Sequence, residues 1–163
     1  MVFVAQSAGR LFRAIFEIVL YRGWAQLALK VLSLCKMVNA RQWQSLNPLH
    51  QFKKIPIEVV RSLDKKNITF DRLHDYDEYQ LGELVRVPKL GKPLYKLIRQ
   101  IPKLEMTAVI LPITRATLKI ELAVIANFRW DERVHGNAEG FWIFVEDVNG
   151  EQILHHEYFL LKQ

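Results

Sequence analysis

Cysteine is all but missing. The single one, Cys35, cannot close an intramolecular disulfide, and its neighbours Leu32, Leu34 and Val38 give it the setting of a reduced, buried thiol. That excludes a disulfide framework and fits the cytosol or nucleus better than a secretory compartment. No base is positioned beside the thiol in the local sequence, so a nucleophilic role has no support. Long hydrophobic runs are also lacking. The most apolar stretch near the start is interrupted by Arg10, Arg13 and Glu17, short of the ~20 apolar residues that span a bilayer. There is no low-complexity tract and no Gly/Ser- or Pro-rich linker, which argues for folded rather than disordered chain. A phosphate-cradling glycine loop is absent: the one Gly-Lys pair, Gly91-Lys92, is followed by Pro93 and lacks the upstream glycine. Nor is there an acidic box for magnesium, so nucleotide hydrolysis cannot be assigned to these residues.

Acids are scarce at the beginning. Residues 1–50 hold six Lys/Arg (Arg10, Arg13, Arg22, Lys30, Lys36, Arg41) against Glu17 alone. Residues 51–103 hold twelve against seven, and residues 104–163 five against nine. The net charge of +6 therefore hides a basic first two-thirds and an acidic last third. A basic surface attracts phosphates through its long-range field and an acidic one repels them. Any nucleic-acid contact is expected before residue 104.

Periodicity divides the chain in the same places. Gln6, Arg10, Arg13 and Glu17 recur at helical spacing, while Leu11, Phe12, Ile15, Phe16, Ile18 and Val19 fill most of the remaining circumference. This predicts a mostly buried helix with a narrow polar stripe. Gly23 breaks it, a second helix follows over about 24–40, and Asn47-Pro48 ends the pair. In the second segment Pro56 suits a first helical position, with Glu58 at the positive end of the helix dipole. Asp77 and Gln80 have capping-box spacing and open a helix through Leu84. Residues 87–93 read as a turn, followed by a helix through Ile101. The third segment switches period. Leu118, Ile120, Leu122 and Val124 alternate with polar or small residues, which predicts a half-buried strand. A strand is expected between Leu104 and Leu111, and Asn149-Gly150 marks a hairpin between residues 141–148 and 151–161. The expected class is α+β, with helices first and antiparallel strands after.

Three stretches carry a resemblance, Gln6 to Glu17 (QSAGRLFRAIFE), Gly82 to Gly91 (GELVRVPKLG) and Ile153 to Leu161 (ILHHEYFLL), and Trp130 to Gly136 (WDERVHG) strengthens it. Together, and in this order, they resemble the C-terminal, Sec-type cassette of the large superfamily-two DExH-box spliceosomal RNA helicases. The resemblance implies a helical-bundle portion with a ratchet-like helix over 1–50. It further implies a helix–loop–helix domain over 51–103 and part of an immunoglobulin-like β-sandwich over 104–163. That part is incomplete, since about sixty residues remain where such a domain takes ~100. It implies a nuclear, accessory role in pre-mRNA splicing, in a helicase that unwinds the paired U4/U6 RNAs. The implied partners are single-stranded RNA, RecA motor and winged-helix domains and other spliceosomal proteins, with no membrane. ATP and magnesium would belong to the motor domains, so no cofactor is expected here. Two alternatives stay open: the related helicase of the activating signal cointegrator complex, and a non-enzymatic scaffold of the Sec translocon type.

Taken on the residues alone, Gln6, Arg10 and Arg13, with Ser7 beside them, read as a solvated face in which Arg13 and Glu17 form an i,i+4 pair. The resemblance turns them into RNA contacts, with guanidinium forks on phosphate and glutamine on sugar or base. Pro88-Lys89-Leu90-Gly91-Lys92 resembles the turn of a helix–hairpin–helix, where backbone N–H groups at a helix start meet a phosphate. Lys89, Lys92 and Lys96 would add charge. A tight connection with solvated lysines explains the same residues. His155-His156 is no metal pair, because adjacent strand residues point to opposite faces. No catalytic or metal residue is assigned. Trp130 and Trp142 are expected in a core, and acids such as Asp131, Glu132 and Glu151 on a protein-facing surface.

Overall fold

The computed structural model describes residues 2–66 and 68–162, with side chains from Ser7 onward. Among them run helices α1 (Val2–Arg22), α2 (Ala25–Ala40), α3 (Ile57–Lys65), α4 (Phe70–Asp75), α5 (Glu78–Leu84) and α6 (Gly91–Ile98). Strands β1 (Leu104–Thr114) and β2 (Thr117–Ala126), the single-turn helix α7 (Glu132–His135), and strands β3 (Ala138–Glu146) and β4 (Ile153–Lys162) complete the order. Short 3-10 turns lie at Pro48–Gln51 and Pro88–Leu90. The strands form two separate antiparallel sheets, β1-β2 and β3-β4, so the class is α+β. The chain divides into two compact units, Met1–Phe70 with Asn137–Gln163, and Asp71–Gly136. Residues 137–163 fall in the first unit, apart from the rest of the expected 104–163 segment, because the last hairpin packs with the first helices.

In the first unit, Gly23 ends α1 with φ +72°, a conformation that costs glycine little. The turn it creates is fastened to the β3–β4 hairpin. Ala25 N–H donates to Glu151 O at 3.0 Å, Ile153 N–H donates to Gly23 O at 2.8 Å, and Trp24 bridges to Gln152. Phe16, Val19, Leu20, Ala28 and Val31 form the core, against which Trp142, Phe144 and Ile153 pack. The Phe16 and Trp142 rings meet edge to face at 5.2 Å, an arrangement favoured by the ring quadrupoles. Trp142 is partly buried, and it packs on this helical core rather than in a core between facing sheets, as had been expected.

The expectation that α1 is mostly buried does not hold. Its covered stripe is narrow, and Leu11, Ile15 and Ile18 are 64%, 43% and 59% exposed. One helix and one hairpin can cover only one side of it. Pro56 lies one residue outside α3, as its N-cap with ψ 130°, while Glu58 does occupy the first turn. The hairpin at Asn149-Gly150 is present but wider than two residues. Asp147 N–H pairs with Gln152 O, the Asp147 carboxylate accepts from Glu151 N and Gln152 N, and only Gly150 has positive φ.

In the second unit, α5 opens with both halves of the Asp77–Gln80 capping box, at 3.0 and 2.7 Å. The predicted turn over 87–93 is shorter than expected: α6 already begins at Gly91. Glycine at 91 is required by proximity, since a Cβ there would run into the Glu78 carbonyl oxygen. Trp130 sits against Phe128 and His135, at 5.9 and 5.3 Å between ring centres. His135 is buried, with Nε2 2.7 Å from Gln100 O, and Asp131 N–H donates to its Nδ1 at 3.0 Å. Asp131 also caps α7 and accepts from Gln100 Nε2 at 2.7 Å, so this acid organises the fold instead of presenting a surface. β2 keeps the predicted alternation, yet it is not half-buried. Leu118, Ile120 and Leu122 are exposed, as are Val109 and Ile110 on the partner strand.

Candidate nucleic-acid interface

The α1 stripe begins in the first two turns of the helix. Gln6 is helical, but its side chain lies outside the described residues. Ser7 is half-buried, and Arg10 and Arg13 are exposed. Ser7 neighbours Arg10 at i+3, and Arg10 neighbours Arg13 at i+3, so the three form one ridge. The Arg13–Glu17 pair expected for an ordinary solvated face is not formed among the described residues. The positive charge of Arg13 acts on the half-buried Cys35 thiol. Burial pushes that thiol above its ordinary value, while Arg13 pulls the other way more weakly. The outcome is a protonated, poorly nucleophilic sulfur beside the ridge.

The second set splits. Lys89 lies in the 3-10 turn, while Lys92 and Lys96 lie on α6, four residues apart and therefore on one face. All three are exposed. Two backbone donors at this turn are already engaged, Leu90 N–H with Val87 O and Gly91 N–H with Pro88 O. A phosphate here would meet side-chain charge more than a ring of open amides. Lys92 and Lys96 share their face with Tyr95 and Arg99, and that face joins residues 126–129 in lining a cleft. Sequence reasoning passed over Tyr95, Arg99, Phe128 and Arg129. The i, i+3, i+4, i+7 spacing of Lys92, Tyr95, Lys96 and Arg99 was readable. The arrival of residues 128 and 129 was not, because it depends on β1–β2 returning the chain to the end of α6.

Among the described residues no group of three or more His, Cys, Asp or Glu could hold a metal ion. His155 and His156 pair with Val145 and Phe144 on opposite faces of their sheet. No helix among the described residues is long and apolar enough to cross a membrane.

Comparison with known proteins covers the chain from end to end. It is 74% identical over 163 residues to the U5 small nuclear ribonucleoprotein 200 kDa helicase of Caenorhabditis elegans, and all of the chain aligns with 8% of that protein. The human protein of the same name is 60% identical over 162 residues, 99% of this chain and again 8% of the relative. The activating signal cointegrator 1 complex subunit 3-like protein of Dictyostelium discoideum is 48% identical over the whole chain and 7% of its own length. The chain thus spans only about a twelfth of the length of these relatives. Residues 1–163 also match, without a gap at either end, the family described as the Sec63 Brl domain, and the chain belongs to that family.

Proposed function

We propose that this chain is the RNA-guiding and protein-docking accessory region of an ATP-dependent RNA helicase that acts in nuclear pre-mRNA splicing. One observation carries the reading: identity to the helicase of the U5 particle is 74%, against 48% to the cointegrator-complex relative. In this reading Gln6, Ser7, Arg10 and Arg13 touch a translocating single strand, and Lys89, Lys92 and Lys96 add a second set of phosphate contacts. Guanidinium groups suit the first role because they are permanently charged and can both fork onto phosphate and stack on bases. ATP and magnesium would be held by RecA-like motor domains outside these residues, next to a winged helix, and the parent helicase would unwind paired U4/U6 RNAs. The exposed apolar residues of α1 and of β1–β2 support the docking half of the proposal, since contiguous apolar surface of this kind marks sites that other protein covers.

The test is Arg10→Leu in the parent helicase. Leucine and arginine have similar helix propensity, so α1 should persist. Loss of one charge-assisted contact, about 1.5–3 kcal/mol, should weaken single-strand binding and slow unwinding roughly tenfold to a hundredfold. Lys162→Leu on β4 is the charge control and should change neither. Normal unwinding by Arg10→Leu would make the ridge a plain solvated face, and a region that binds no RNA at all would point to the translocon-type scaffold instead.

A further inference from the structure

The cleft beside α6 sets Lys92 and Lys96 among Tyr95, Arg99, Phe128 and Arg129, which have no part in the phosphate contacts proposed so far. Lys92, Tyr95, Lys96 and Arg99 occupy one face of the helix. Backbone bonds from Arg129 N–H to Arg99 O (2.6 Å) and from Asn127 N–H to Lys103 O (2.8 Å) hold the chain after β2 against the end of that helix. Phe128 and Arg129 then complete a cleft of about 570 Å³. Four cations converge on it, with Glu78 the only acid in its lining. None of the four forms an ion pair among the described residues. Arg99 is the most informative of them. Its guanidinium lies over the Tyr95 ring, 5.3 Å from the centre, and its Nε is buried without a hydrogen-bond acceptor. A donor left unpaired in that way is costly, and the guanidinium it belongs to lines the cleft, where an anion would meet its charge. The neighbouring His74 registers the same excess of positive charge. Burial is the main reason its imidazole is held below its ordinary value, and the charges of Arg99 and Lys103 add to the effect.

Charge alone would suit any phosphate. The rings ask for something flat beside it, because single-strand sites pair a cationic track for the backbone with aromatic faces for the bases. The volume suits one such unit rather than a duplex. We propose that this cleft binds one nucleotide of a single-stranded RNA, with its phosphate on Arg99 and Arg129, Lys92 and Lys96 alongside, and its base against Phe128. Tyr95 pre-orders Arg99 by stacking beneath it. The inference rests on the RNA-guiding reading and extends it from Lys92 and Lys96 to Tyr95, Arg99, Phe128 and Arg129.

The experiment uses the intact 163-residue chain with a short labelled oligouridylate, read by anisotropy across a salt series. The pair Arg99→Gln with Arg129→Gln should weaken binding by at least tenfold. It should also flatten the slope of log affinity against log salt by about 1.4, two phosphate-directed cations at ~0.7 each for a single strand. Lys53→Gln with Lys65→Gln removes the same charge from exposed residues outside the cleft and should leave the slope nearly unchanged. An unaltered thermal midpoint for the cleft pair would show that its fold is intact. Photo-crosslinking of the wild-type chain to a 4-thiouridine oligonucleotide should give an adduct on the peptide that contains Phe128, a readout that depends on no variant. An adduct confined to α1, with the cleft pair binding as tightly as the control pair, overturns the cleft and leaves the α1 ridge standing. Loss in the cleft pair with Arg10→Leu unaffected supports the cleft and removes the ridge. Inorganic phosphate that displaces the oligonucleotide at equal phosphate concentration, or a phosphoserine peptide that binds as tightly, also overturns the proposal, because the rings would then contribute nothing.

Discussion

His74 is 3% exposed and lies among the cations Arg99 and Lys103, with Asp75 the acid that acts on it. Burial, then Arg99, then Lys103 lower its pKa, so the folded chain holds it neutral where the unfolded chain would protonate it. The sign of the pH effect follows. The unfolded state binds the extra proton, so stability is full above the ordinary value of 6.5 and declines as pH falls from there toward the depressed folded value. The thermal midpoint of the wild-type chain should drop between pH 7 and pH 5. His74→Gln, which keeps hydrogen-bonding capacity and cannot titrate, should show a shallower drop over the same interval. Parallel curves for the two proteins would mean that His74 does not control the transition. The sequence offered no route to this residue, since a histidine in Arg72-Leu73-His74-Asp75 reads as a helix-end surface group. Arg10 and Arg13 were legible because their exposure follows from the local 3.6-residue period alone. Arg99 was visible as a cation, but not as one whose Nε is covered, because the cleft around it is completed by chain that returns about thirty residues later.

Helix boundaries followed the local chemistry where it was complete. The capping box at Asp77–Gln80 needs only two side chains and fixed α5 to the residue. Gly23 likewise ended α1 as predicted. The Pro88–Pro93 stretch was less readable, because proline and glycine signal a turn equally well whether a helix starts at 91 or 94. What decides is packing: α6 begins early because Gly91 lets its first turn press on the start of α5. Gly91→Ala should therefore destabilise the second unit by about 1–3 kcal/mol, the usual cost of forcing an extra carbon into a closed contact. Its helix propensity would otherwise favour alanine, so the direction discriminates. Chemical denaturation would measure it, and an increase in stability would show that the close approach to Glu78 is not maintained. The alternating pattern of β2 located the strand correctly but misjudged its environment. Period two reveals two faces, and whether one of them is covered depends on elements that no local pattern encodes.

The two hairpins, alike in length and pairing, differ in what covers them. β3–β4 lays Trp142, Phe144 and Ile153 on the α1–α2 core, and the turn at Gly23-Trp24 clips the start of β4. β1–β2 is exposed along almost its whole length, with Met106, Ile110, Ile113, Leu118 and Ile125 each 60–62% open. Among the described residues its base is fastened by Asn127 N–H to Lys103 O and by Arg129 N–H to Arg99 O, with Asn127 Nδ2 donating to Glu105 across the two strand ends at 2.6 Å. A two-stranded ribbon with neither face buried is marginal in water, and amides exchange through local openings whose cost follows the apolar contact around them. Hydrogen exchange of the intact chain should thus be fast at the β1–β2 tip, near residues 110–118, slower near residues 104–106 and 124–126, and slowest in β3–β4 around Trp142 and Phe144. The sequence alone grouped all four strands as one domain and would have one exchange class for residues 104–163, so the experiment separates the two descriptions. Strong protection at the tip that fades on dilution would mean that copies of the chain cover the ribbon for one another, as exposed apolar edges tend to do. Strong protection that persists on dilution would show the ribbon to be stable by itself, and the case for a docking surface on it would fall.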